Sequence, residues 1–191
     1  MVDVGRRQAV LVSTTLLASW LGMQAVHELG HITGAWITGG RVAKVVLYPL
    51  TISRTDLADN PHPLIVVWAG PIFGSLLPLG LWILIRARRV AEAFLLRFFA
   101  GFCLLANGLY IGVGSFDRVG DCGQMLRHGS AAWQLWLFGA VTAPGGLLLW
   151  HRLGSAFGLG PAKKPVSRRA ALTSSAAFVI LLLIGFAVDG S

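Results

Sequence analysis

The chain has 191 residues, of which 55% are hydrophobic and 13% charged, with a mean hydropathy of +0.70 and a formal net charge of +8. So apolar a composition excludes an ordinary soluble domain and reads as an integral membrane protein embedded in a lipid bilayer, the cell membrane being the expected one. The basic residues gather in short clusters between apolar runs, the pattern of membrane topology, so no nucleic-acid partner is expected.

A span takes about 20 mostly apolar residues, so a chain of this length holds at most about six or seven helices with short connections and no separate soluble domain. After a head bearing Arg6 and Arg7, the first apolar run extends from Ala9 to about Thr38. It begins as a signal peptide does, but it is too long for an h-region and lacks a clear small-x-small cleavage site before residue 27. Near its end stands His27-Glu28-Leu29-Gly30-His31, the HExxH pattern of zinc metalloproteases. Helix positions four apart return to nearly the same face, so His27 and His31 can present two imidazole nitrogens to one metal ion. Glu28 can reach a metal-bound water without entering the coordination sphere, which suits a general base. The alternative is that these side chains only stitch helices together. Ionisable residues inside an apolar span are costly, and three within five positions favour metal binding. If the helix begins at Ala9, His27 lies roughly 27 Å along it, close to the far side of a hydrocarbon core about 30 Å thick.

Gly39 and Gly40 end this helix, and Arg41 to Pro63 mixes β-branched with charged residues, a composition that predicts a short β-like interfacial loop. A strand edge beside a metal site can hold an unwound peptide by strand addition; an ordinary connector explains the composition equally well. Further spans are expected at 63–85, 94–114, 131–151 and 170–188. The chain is therefore an all-α membrane bundle of about five transmembrane helices, one integral domain over 1–191. Gly70, Pro71, Gly74 and Pro78 in the second span fit close packing and kinking. Asn107 in the third is expected to hydrogen-bond a neighbouring helix, with orientation of a site as the lesser alternative. Trp133, Trp136 and Trp150 near the ends of the fourth fit an aromatic belt. Cys103 and Cys122 give no disulfide framework.

With five spans, the head, the connection from Arg86 to Arg97 and the linker from Arg152 to Arg169 share one face. They carry eleven Lys/Arg against five on the other, namely Arg41, Lys44, Arg54, Arg118 and Arg127, which puts the N-terminus in the cytoplasm. The HELGH end and the polar stretch Ser115 to Gly129 then lie together on the opposite side. A catalytic zinc takes three protein ligands and leaves the fourth position open to water, whose pKa falls to about 7. His27 and His31 supply two; Asp117, Asp121, His128 and His62 are the candidates for the third.

An HExxH in the first span, a β-like stretch, a Gly-Pro helix and a later Asp-x-Gly together resemble the site-2 protease family of intramembrane zinc metalloproteases. The likeness runs over roughly Ala9 to Leu126. The family's Leu-Asp-Gly-Gly-His-Ile-Leu motif is best matched by Gly120-Asp121-Cys122-Gly123-Gln124-Met125-Leu126, so the resemblance assigns the third ligand of one Zn2+ per chain to Asp121. Ala69-Gly70-Pro71 matches the family's Ala-Gly-Pro segment. There are departures: Asn107 precedes Asp121 by fourteen residues with no proline between, Cys122 stands for glycine, and Gly74 stands where asparagine is frequent. Asp117 thus stays open beside Asp121. Family members often face the cytoplasm with their site, opposite to the charge count here.

The resemblance implies hydrolysis of a peptide bond in or beside a transmembrane helix of a membrane-protein substrate, with Glu28 as the base. With no room for a sensor domain, recognition falls to the membrane helices, the β-like loop or a partner subunit. The alternative is a metal-binding, non-proteolytic membrane protein that holds client helices. An iron-dependent lipid oxygenase is weaker, since di-iron membrane sites need more histidines than the five present.

Overall fold

The computed structural model describes residues 2–161 and 165–189; Lys163 and Lys164 of the basic linker lie outside the described residues. Helix α1 runs from Val2 to Ile37, followed by the strands β1 (Arg41–Val46) and β2 (Arg54–Asp59). Then come α2 (Pro63–Ala87), α3 (Ala93–Gly114), the short α4 (Gly120–Arg127), α5 (Ala132–Trp150), a 3-10 turn at Gly154–Phe157, and α6 (Arg168–Asp189). Five of the helices, α1, α2, α3, α5 and α6, are long and apolar enough to cross a membrane. These are the five expected spans, with the two-stranded sheet after the first. Helix α4 and the 3-10 turn are additions to the expected elements: the first is an eight-residue, polar-rich helix too short to sustain an apolar repeat over the window that periodicity needs, and the second is a single turn in a Gly-rich linker.

Helices α1 and α6 run parallel, as an odd number of spans requires. Thr14 and Ser174 share a hydrogen bond of 2.7 Å, Leu11 packs with Ala170 and Ala171, and Gly22 lies against Leu181. The three basic segments meet at the end of the bundle where α1 begins. Gln8 donates to the carbonyls of Phe157 and Gly158, Arg169 pairs with Glu92 at 3.4 Å, and Arg97 donates to Leu149 and His151 carbonyls.

Small residues set the two closest helix pairs. On α3 and α5, Gly108 and Gly112 face Gly139, and Gly101 faces Gly146, so the backbones themselves are in contact. On α1 and α2, a Cβ at Gly30 would collide with the Ala69 carbonyl, and one at Gly34 would come within 2.7 Å of the Ala69 Cβ. That approach lays Ala69-Gly70 of α2 against the HELGH turn of α1. Pro63 opens α2, where its missing N–H costs nothing, and Pro71 and Pro78 sit inside it.

The antiparallel hairpin pairs Val46 with Arg54 and Val45 with Thr55. It folds back along α1, since the Ser53 amide donates to the Gln24 side chain at 2.9 Å. Gln24 is thirteen residues before Ile37, so the hairpin's turn lies about 20 Å below the end of α1. Its tip reaches α6, where Tyr48 meets Phe186 edge-on and Gly185 admits Leu47 and Pro49.

Overpacking the seam between α1 and α2 carries a definite cost. Gly34→Val should lower unfolding stability by about 1–3 kcal/mol, whereas Gly80→Ala, with nothing within 4 Å of the added carbon, should leave it unchanged or slightly raised; thermal unfolding in detergent reads both.

Candidate metal centre

His27 and His31 sit one turn apart on α1, both buried, with imidazole Nε2 atoms 3.1 Å apart. The Asp121 Oδ2 lies 2.9 Å from the first and 3.3 Å from the second. The remaining ring nitrogens are committed elsewhere. His31 Nδ1 is 2.9 Å from the Val66 carbonyl, which only accepts, so the proton resides on that nitrogen. His27 Nδ1 is 2.7 Å from Asn107 Oδ1. Asn107 is oriented in turn by donating its amide to the Cys103 carbonyl at 2.8 Å, so its oxygen faces the imidazole. Each ring thus carries its proton on Nδ1 and turns an Nε2 lone pair inward.

Two imidazole lone pairs and a carboxylate oxygen facing one another at 2.9–3.3 Å need a positive charge between them. For ligands about 2.0–2.1 Å from a tetrahedral zinc, neighbouring ligand atoms stand about 3.3 Å apart, so the spacing fits. Two nitrogens and one oxygen are also a donor set that zinc takes in catalytic sites, and three ligands leave one position open. His27, His31 and Asp121 are the one such group among the described residues. Asp117, His128 and His62, the other candidates for a third ligand, are exposed and outside it.

Asp121 reaches the imidazoles because α4 is pinned from below. Cys122 and Met125 are fully buried in a cluster with Val67, Ile111 and Leu135, which turns Asp121 in the first turn of α4 toward α1. Asp121 thereby brings one carboxylate oxygen to both imidazoles. Its backbone amide donates to the Tyr110 hydroxyl at 3.0 Å, and the Tyr110 ring stands edge-on to His27. Gly120 has φ +56, and a Cβ there would collide with that hydroxyl, so the turn needs glycine twice over. Cys122, which stands for the glycine of the family motif, donates its thiol to the Tyr110 carbonyl at 3.1 Å, and burial pushes the thiol up to about 11. Gly70 gives way for the imidazoles: a Cβ there would strike His31 and crowd His27 Nε2.

Glu28 is 3% exposed and faces the hairpin. Its Oε1 accepts from Ser53 Oγ and its Oε2 from Thr55 Oγ1, each at 2.7 Å. Glu28, both histidines and Asp121 line one cavity of about 770 Å3 between α1, β2, α2, α3 and α4. Tyr110, Ser53, Thr55 and Val66 carry no signal in the sequence, because a lone hydroxyl or carbonyl partner has no spacing pattern; Asn107, expected to bond a neighbouring helix, serves both its own helix and the imidazole.

Five helices apolar enough to cross a membrane, with two histidines and a carboxylate converging near the end of the first, define a membrane-protein architecture carrying a group that could hold a metal ion. The family described as Peptidase M50B-like matches residues 8–111, more than half of the chain. The chain belongs to this family, a site-2 protease family of metallopeptidases that is typically zinc-dependent. The match covers His27, Glu28, His31, Gly70 and Asn107 and stops short of Asp121, so Asp121 joins the group by geometry. Neither the curated proteins nor the solved structures contain a match to the chain.

Two variants separate the candidate ligands from their support. Asp121→Ala should abolish stoichiometric zinc while Asp117→Ala keeps it, as read by metal analysis of purified protein. Asn107→Leu, which leaves the His27 Nδ1–H without its acceptor, should weaken zinc binding roughly 10- to 100-fold in competition with a chelator.

Proposed function

We propose that this protein is an intramembrane zinc endopeptidase that hydrolyses a peptide bond in or next to a transmembrane segment of another membrane protein. The observation that carries this reading is the convergence of His27, His31 and Asp121 with Glu28 on one cavity inside a membrane bundle. A zinc ion at this centre supplies an acidified water and polarises a carbonyl.

The residues of the chain do the rest. His27, His31 and Asp121 hold the ion, each imidazole kept in its productive tautomer by Asn107 or the Val66 carbonyl. Glu28 accepts a proton from the attacking water on a carboxylate lone pair that Ser53 and Thr55 leave free, then passes it to the departing amine. A helix in the bilayer has every backbone group bonded within itself, so the substrate must unwind before attack. The strand β2 has one edge paired to β1; Arg54 to Leu57 of the same strand line the cavity, which favours an unwound segment docking there as an added strand. The basic end of the bundle faces the cytoplasm by the positive-inside rule, which turns the metal centre toward the opposite face.

Glu28→Gln decides between proteolysis and bare metal binding. In liposomes containing the protein and single-span peptides, wild type should yield two fragments and Glu28→Gln none, with about one zinc per chain in both. Cleavage that persists in Glu28→Gln contradicts the mechanism; zinc-loaded, folded wild type that cleaves nothing favours a client-holding membrane protein.

A further inference from the structure

Glu28 is a buried carboxylate whose hydrogen bonds come from hydroxyls, not from a lysine or arginine, among the described residues. A buried charge must be hydrogen-bonded or paired, and O–H donors to a carboxylate are short and strong. Both donors belong to the hairpin. Ser53 and Thr55 are two apart in an extended segment, so their side chains leave the same face. Each takes a different oxygen, and together they fix the carboxylate plane as a single donor cannot. A carboxylate offers about four lone-pair sites. Two stay open, so the clamp orients the group without blocking proton uptake.

The clamp is itself braced. The Ser53 amide donates to Gln24, one turn before Glu28 on α1, so the segment is held from two successive turns of the helix. Thr55 is paired with Val45 in the sheet. Among the described residues, both hydrogen-bond donors to the carboxylate come from the hairpin, so its orientation depends on the hairpin lying against α1.

On these grounds, and resting on the protease reading above, we propose that Ser53 and Thr55 are positioning residues that hold the Glu28 carboxylate in its working orientation, which makes the hairpin part of the catalytic device. Packing of the hairpin is the competing role, and the two separate experimentally. Thr55→Val keeps shape and strand preference but deletes the donor; Thr55→Ser keeps the donor.

With a single-span peptide that wild type cleaves in liposomes, Ser53→Ala and Thr55→Val should each lower kcat, and the double variant by roughly 10- to 100-fold, with KM within about twofold and one zinc retained. Thr55→Ser should restore kcat. Infrared difference spectra against Glu28→Gln supply a readout that needs no substrate: the Glu28 carboxylate stretch should shift in Thr55→Val and return in Thr55→Ser. The proposal is overturned if the double variant turns over at the wild-type rate, if only KM rises, or if the carboxylate band is unmoved. If Glu28→Gln itself still cleaves, the protease reading fails instead, and the infrared result alone decides whether the hydroxyls hold the carboxylate.

Discussion

The convergence of two imidazole lone pairs and one carboxylate oxygen within 3.3 Å is the constraint on which the rest of this structure depends. Without a cation such a cluster repels itself, and in a low-dielectric interior it does so strongly. The fold holds it together from every side. Gly30 and Gly70 let α2 close on α1, the Val66 carbonyl and Asn107 fix the rings, and the buried Cys122 and Met125 lock α4 so that Asp121 points inward. None of these supports is a metal ligand. They are the reason that a seam of small residues and one short polar helix matter as much as the HELGH turn.

The hairpin adds a second layer. In a bilayer, exposed backbone polar groups are tolerated only where they line protein or water. The strands run along α1 beside the metal cavity and cap it with hydroxyls, an amide and a strand edge. One small sheet thus shields Glu28, donates both of its hydroxyl hydrogen bonds, and, in the protease reading proposed above, offers the edge at which an unwound segment adds.

The architecture was largely legible in the sequence because hydropathy and chain length constrain membrane helices so tightly: all five spans and the extended segment after the first follow from apolar runs and β-branched residues. Within the site, His27, Glu28 and His31 were legible because their spacing encodes one helix face. Asp121 was reached through its local resemblance alone, with Asp117 equally placed by topology; what separates them is α4, whose packing through Cys122 and Met125 no spacing rule predicts. Tyr110, Ser53 and Thr55 act through single hydroxyls brought close by tertiary contacts, which leave no trace along the chain. Asn107 was visible as a polar residue in a span, but its direction depends on the rotation of α3 against α1, and Gly70 was visible as a packing glycine, though it makes room for imidazole.

Zinc X-ray absorption on the purified wild-type protein is the sharpest probe of a His27, His31 and Asp121 centre, because it reads the atoms around the ion without needing a substrate. About one zinc per chain is expected, with nitrogen and oxygen neighbours near 2.0–2.1 Å and the outer-shell pattern of two imidazoles. A folded protein that binds no zinc, or a sulfur neighbour near 2.3 Å that brings Cys122 or Cys103 into the shell, would contradict it.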